Sequence, residues 1–143
     1  LRGDEAASTR PLPSLADIDE LLESVTRGGL DTTFSVTGTP RRALPPGAEL
    51  TAYRVIQESL TNVLKHAGPQ ARAEVALRWT PAGLELTLLD DGHGAASALH
   101  DDGAGQGIKG MVERLSLYDG TLEAAPAAGG GFRVTAFIPY TEA

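Results

Sequence analysis

Apolar residues recur at helical spacing in three stretches of this chain and alternate with polar ones in five. The first helical stretch starts at Ser14, carries Leu15, Ile18, Leu22 and Val25 on one face, and stops at Gly28-Gly29. Asp17, three residues after Ser14, gives it a near capping box. Residues 30–36 alternate well enough for a strand, with Leu30, Phe34 and Val36 on one side, and the three prolines of residues 40–47 mark a loop. The longest helix is expected over 48–67. Strands over 73–80 and 84–90 are joined by Pro81-Ala82-Gly83, a hairpin signal. Residues 92–106 hold four glycines and two acids without any period, and are expected to form a flexible loop. A helix over 107–118 then turns Met111, Leu115 and Tyr118 inward, and strands over 121–125 and 132–139 flank Gly129-Gly130-Gly131. Three helices and about five strands, with amphipathic helices, predict a two-layer α/β (α+β) sandwich.

Composition narrows the picture. With 143 residues, 41% apolar and 22% charged, the chain supports one ordinary core, so residues 14–143 are expected to form one domain. Residues 1–13 are polar, contain two prolines and lack a period, which reads as a linker; Leu1 in place of Met leads to the expectation of a longer parent. A net charge of -7, from 19 acids against 12 Lys and Arg, argues against a nucleic-acid partner. The absence of Cys excludes a disulfide framework, a Cys-ligated zinc site and thiol catalysis. No run approaches a membrane span in length, and no direct membrane contact is expected.

Chemistry concentrates in three places. At about 100° per residue, Ile56, Leu60, Val63, Leu64 and Ala67 fall on one side of the long helix, and Glu58, Asn62 and Lys65 on the other. A solvated polar face accounts for Glu58 and Lys65 taken alone. Asn62 shifts the balance, because it is a mediocre helix former whose amide oxygen is a hard neutral ligand suited to Mg²⁺ on a triphosphate. Asp90 closes an apolar strand and precedes Asp91-Gly92-His93-Gly94. An isolated Asp-Gly reads as a turn. An ionised carboxylate at a strand end, however, only accepts hydrogen bonds, which suits the amine of adenine and opposes the carbonyl of guanine; Gly92 and Gly94 would then let a ring approach the backbone and the chain turn away.

Gly105-Gln106-Gly107-Ile108-Lys109-Gly110 matches the dinucleotide fingerprint formally, and Glu123 lies at a suitable distance for a ribose-binding acid. The fingerprint requires a strand immediately before its first glycine, and residues 95–104 hold no strand-like run. What remains is a glycine-rich helix start whose N–H groups face phosphate oxygens, or simply a helix start. The three histidines lack partners at zinc-ligand spacing.

In order and spacing these stretches resemble the N box and glycine boxes of the GHKL ATPase superfamily. Within it the chain is most similar to the ATP-binding domains of NarL/DesK-class sensor histidine kinases. That likeness rests on Ala52-Tyr53-Arg54-Val55-Ile56-Gln57-Glu58 running into Asn62-Val63-Leu64-Lys65-His66-Ala67, on Gly107-Ile108-Lys109-Gly110-Met111-Val112-Glu113-Arg114, and on Gly129-Gly130-Gly131-Phe132-Arg133-Val134. It covers nearly the whole chain from about Ser14. The resemblance implies a Bergerat-type fold, a mixed sheet covered on one face by three helices. It also implies ATP and Mg²⁺ as cofactors, with Asn62 the Mg²⁺-ligating asparagine and Glu58 the acid that polarises a water or orients a metal-bound one. Asn62, Lys65, Asp90, Gly92, Gly94, Gly105, Gly107, Ile108, Lys109 and Gly110 fall at nucleotide-binding positions.

Function follows as an expectation. The resemblance implies γ-phosphoryl transfer from Mg·ATP to a histidine on a separate dimerisation domain of the same protein, and onward to a response regulator. Residues 1–13 would be the linker from that domain. An isolated monomer, a dimeric parent and a cytoplasmic location go with it. An anti-sigma-factor serine kinase uses the same boxes, and an ATP-sensing module without transfer activity stays open as a reading from another class.

Overall fold

The computed structural model describes residues 12–66, 70–92, 102–127 and 130–140; of residues 66 and 102–106 only the backbone is described. A short 3₁₀ turn, Leu15–Asp17, leads into α1, Ile18–Arg27. The capping box is present: the Ala16 N–H donates to Ser14 Oγ at 3.2 Å and the Ser14 N–H to Asp17 Oδ2 at 2.8 Å. At the other end the Leu30 N–H reaches back to the Val25 carbonyl and the Gly29 N–H to that of Thr26, which satisfies two carbonyls the helix leaves free. The remaining elements are β1 Asp31–Thr37, α2 Pro46–His66, β2 Arg72–Trp79, β3 Gly83–Asp90, α3 Asp102–Ser116, β4 Thr121–Pro126 and β5 Phe132–Pro139.

The five strands form one sheet in the order β1-β2-β3-β5-β4. β1 and β2 are parallel and the other neighbours antiparallel, so the sheet is mixed as expected. β3 is central. Its alternate residues Leu84, Leu86, Leu88 and Asp90 are buried on the helical face, with Val75 and Leu77 of β2 and Val134, Ala136 and Ile138 of β5 beside them. Ile18, Leu22 and Val25 of α1, Ala52, Val55, Ile56, Leu60 and Val63 of α2, and Met111 and Leu115 of α3 complete the core from above. The other face of the sheet is polar and carries the exposed Arg78–Glu85 pair at 3.0 Å. Burying a leucine-sized side chain contributes about 1.5–3 kcal/mol, so this single interface between helices and sheet dominates stability.

Two apolar positions on the expected sides are less buried than their type suggests, and one helix boundary is corrected. Val36 faces the helical side in register with Leu77 but is 51% exposed, because β1 is an edge strand that α1 covers only in part. Leu64 is exposed rather than core, since the buried stripe of α2 runs through Ala48, Ala52, Val55, Ser59 and Val63 and leaves it at the margin. The third helix begins at Asp102, five residues before the expected start. The glycines that argued for a boundary at 107 are carried inside the helix. Of the expected flexible loop 92–106, residues 93–101 lie outside the described residues.

Candidate nucleotide site

A cleft opens between the helical layer and the carboxyl end of β3. Its floor is two cross-strand pairs of the sheet, Leu88 with Val134 and Asp90 with Phe132. Ser59, Asn62 and Val63 of α2 form its roof, and Ile108 of α3 closes one side. Residues 59, 62 and 63 share a helix face because positions three and four apart are neighbours. The cleft is narrow, with about 10 Å³ open to the centre of a water molecule.

Asp90 is the charged residue of the floor. The period-2 alternation that buries Leu84, Leu86 and Leu88 carries its side chain inward too, and it is only 2% exposed. Oδ1 accepts the Gly92 N–H at 2.8 Å. Oδ2 is buried and has no hydrogen-bond partner among the described residues, and neither does Ser59 Oγ in the same cleft. Burial pushes the Asp90 carboxyl above the usual carboxylate range; the Gly92 hydrogen bond opposes that rise and the neighbouring Asp91 charge adds to it. Asp91 itself is turned outward. Its Oδ1 accepts the Arg72 N–H at 2.7 Å while its own N–H donates to the Arg72 carbonyl, which fastens the end of β3 to the start of β2. On the other flank Gly131 lies against the Asp90 carbonyl so closely that a Cβ there would collide with it. The glycine triplet therefore includes one residue needed for close approach to the strand end.

Glu58, one turn before Asn62 on α2, is half-buried and packs against α3 at Gly107, where a Cβ would stand 2.9 Å from Oε2. Of the residues singled out from the sequence, Asn62, Asp90 and Ile108 line the cleft, Gly92 supports Asp90, and Glu58 and Gly107 touch one another. Lys65 and Lys109 are exposed and do not line it. Gly94 lies outside the described residues, and Gly105 is placed by its backbone alone, in the first turn of α3. A helix starting at Asp102 leaves the N–H groups of residues 102–104 without intrahelical acceptors, whereas those of residues 107–110 sit where the helix ladder uses them. The expectation that residues 107–110 open the helix is thus displaced by one turn.

Ser59, Leu88, Phe132 and Val134 were not singled out as site residues. Leu88 and Val134 follow from alternation once Asp90 is placed inward. Ser59 had a signal as well: it interrupts the apolar stripe of α2 with a hydroxyl.

Sequence comparison shows the family, and structural comparison shows the fold. Residues 47–142 match the family described as histidine kinase-, DNA gyrase B-, and HSP90-like ATPase. The chain belongs to that family. Two relatives of this ATPase domain in Bacillus subtilis are the sensor histidine kinases YxjM, 30% identical over 113 residues, and LnrJ, 31% identical over 126. The matches cover 79% and 87% of this chain and 27% and 30% of those proteins. The chain therefore spans less than a third of either relative. The fold agrees with that of the catalytic domain of histidine kinase ThkA, with a TM-score of 0.66 at 13% identity, covering 90% of this chain and 95% of that one. The mycobacterial sensor histidine kinase MprB gives 0.65 at 22% identity, covering 89% and 96%. Among the described residues, no helix of this ATPase domain is long and apolar enough to cross a membrane.

Proposed function

We propose that this chain is the ATP-binding catalytic domain of a sensor histidine kinase of the NarL/DesK class, placed in the cytoplasm and linked through residues 1–13 to a dimerisation domain that carries the phosphoacceptor histidine. The observation that carries the nucleotide part is the buried carboxylate of Asp90 with one oxygen unpartnered in a mostly apolar cleft. A carboxylate in that position costs stability unless a ligand donates to it, and the exocyclic amine of adenine is such a donor. The kinase part is supported by the sensor histidine kinases among the relatives.

Asn62 and Glu58 supply an amide and a carboxylate oxygen one turn apart on α2, a hard oxygen pair that fits a Mg²⁺ ion retaining waters and phosphate oxygens. Among the described residues no cluster of three or more His, Cys, Asp or Glu competes for a metal. The ion would offset charge on the triphosphate. The remaining work belongs to the chain: Asp90 fixes the base, Leu88, Val63, Phe132 and Val134 exclude water from the ring, and the free N–H groups at the start of α3 attract phosphate. In the transfer the bond between the γ-phosphorus and the β–γ bridging oxygen breaks, ADP leaves, and an imidazole nitrogen of the phosphoacceptor gains the phosphoryl group. Catalysis is positioning and charge neutralisation.

The test is transfer in trans. The chain incubated with γ-labelled Mg·ATP should bind it without labelling itself, and should label one histidine when given its parent's dimerisation domain. A product stable to alkali and labile to acid identifies phosphohistidine. Acid-stable label would identify a serine kinase, and binding without transfer in the intact parent would identify a sensing module.

A further inference from the structure

We propose that the Ser59 hydroxyl is a second base-reading group, donating to the ring nitrogen beside the adenine amine, directly or through one water. This deepens the adenine-nucleotide reading and rests on it. Two buried side-chain atoms have no hydrogen-bond partner among the described residues, Asp90 Oδ2 and Ser59 Oγ, and both belong to residues lining the one cleft. Ser59 is 5% exposed, so bulk water does not serve it.

A helical serine usually discharges its hydroxyl onto the carbonyl four residues back. Thr51 does so on this same helix, with Oγ1 donating to the Gly47 carbonyl at 2.8 Å. Ser59, two turns further on and in the same buried stripe, does not. An unpartnered hydroxyl there costs free energy in the empty domain, where alanine would be the better helix former and the better core residue. Its chemistry complements Asp90. The carboxylate only accepts, and the hydroxyl donates; adenine presents an amine donor next to a ring-nitrogen acceptor, whereas guanine presents a carbonyl acceptor next to a ring N–H. With Asp90 on the amine, a donor from the roof of the cleft meets the neighbouring nitrogen of adenine and has nothing to donate to on guanine.

The experiment measures binding of ATP, of 1-deaza-ATP, which lacks that ring nitrogen, and of GTP to the parent chain and to Ser59→Ala, together with the melting temperature without nucleotide. The parent should prefer ATP to both analogues. Ser59→Ala should bind ATP about 3- to 10-fold more weakly, the loss of one net hydrogen bond. It should bind 1-deaza-ATP as the parent does, and melt no lower than the parent when empty. Opposite signs on empty stability and ATP binding separate base reading from a structural role. Unchanged ATP affinity, or equal losses for ATP and 1-deaza-ATP, would overturn the role of Ser59 while a parent that still prefers ATP to GTP keeps the adenine reading. A parent with no preference for ATP over GTP removes both.

Discussion

Glu58 of α2 lies directly against Gly107 of α3, so near that a single methyl group on the glycine would stand 2.9 Å from Oε2 and 3.3 Å from Cδ. The same two helices meet again at Gly47, which receives the Tyr118 hydroxyl just after α3 ends. Eleven residues separate the two contacts on either chain segment, 47 to 58 and 107 to 118, and they run in opposite order. The two segments are therefore antiparallel and seated at both ends on glycine.

Gly107→Ala follows from this contact. The added methyl displaces the carboxylate of Glu58, a flexible group, so the empty domain should not suffer and gains up to about 1 kcal/mol of helix propensity. Transfer should nevertheless slow about 10- to 100-fold, the order expected for a displacement approaching 1 Å. Thermal melts together with transfer rates check this, and a lower melting temperature would show the contact to be core packing.

Asp90→Asn should lower ATP affinity by about 1.5–3 kcal/mol, the range for a charged hydrogen bond, read by titration calorimetry. Its effect on the empty domain has the opposite sign. Because the folded pKa is raised, the folded state holds the proton longer than the unfolded chain does, and stability is lost as pH rises from the ordinary carboxylate range through the raised value. Denaturation at neutral and acidic pH should show Asp90→Asn stabilising the empty domain at neutral pH, with the advantage fading at low pH.

Asn62→Ala is expected to weaken Mg·ATP binding and abolish transfer while leaving adenosine binding nearly intact. Equal losses for adenosine and Mg·ATP would make Asn62 a wall of the cleft rather than a metal ligand.

Gly131→Ala places a methyl on the Asp90 carbonyl, which is backbone and has little freedom to move. Overpacking of this kind costs about 1–3 kcal/mol. Urea denaturation should register that loss, and ATP affinity should drop although residue 131 is not among the residues lining the cleft.

How far the fold was legible depends on what each residue answers to. Local signals were read correctly: Ser14 and Asp17 form the capping box, Gly28-Gly29 ends α1, and alternation placed the strands to within a residue or two. Failures came where tertiary context overrides local preference. Val36 has the apolar character of a core position, but only a neighbouring helix decides whether an edge strand is covered. Glycines 105 and 107 argue for a helix boundary by propensity, yet α3 runs through them, and Gly107 is accommodated by its approach to Glu58. Asp90 and Asn62 were legible because their residue types are unusual for their positions, whereas Ile108 was marked only by the family resemblance. Ser59 was not picked out although it interrupts the apolar stripe of α2, since that signal marks a site only once its hydroxyl is found without a partner.

The fastening of Asp90 has a kinetic consequence. Arg72 holds the strand end from one side and Gly131 abuts it from the other, so the floor of the cleft is the stiff jaw. With the floor held, any widening that a purine requires comes from the jaw that carries Asn62 and Ile108. The measured dissociation constant is then the intrinsic one divided by the fraction of molecules open at any instant. Substitutions that loosen α3 against α2 would thus raise the nucleotide on-rate without touching a single atom that contacts the base.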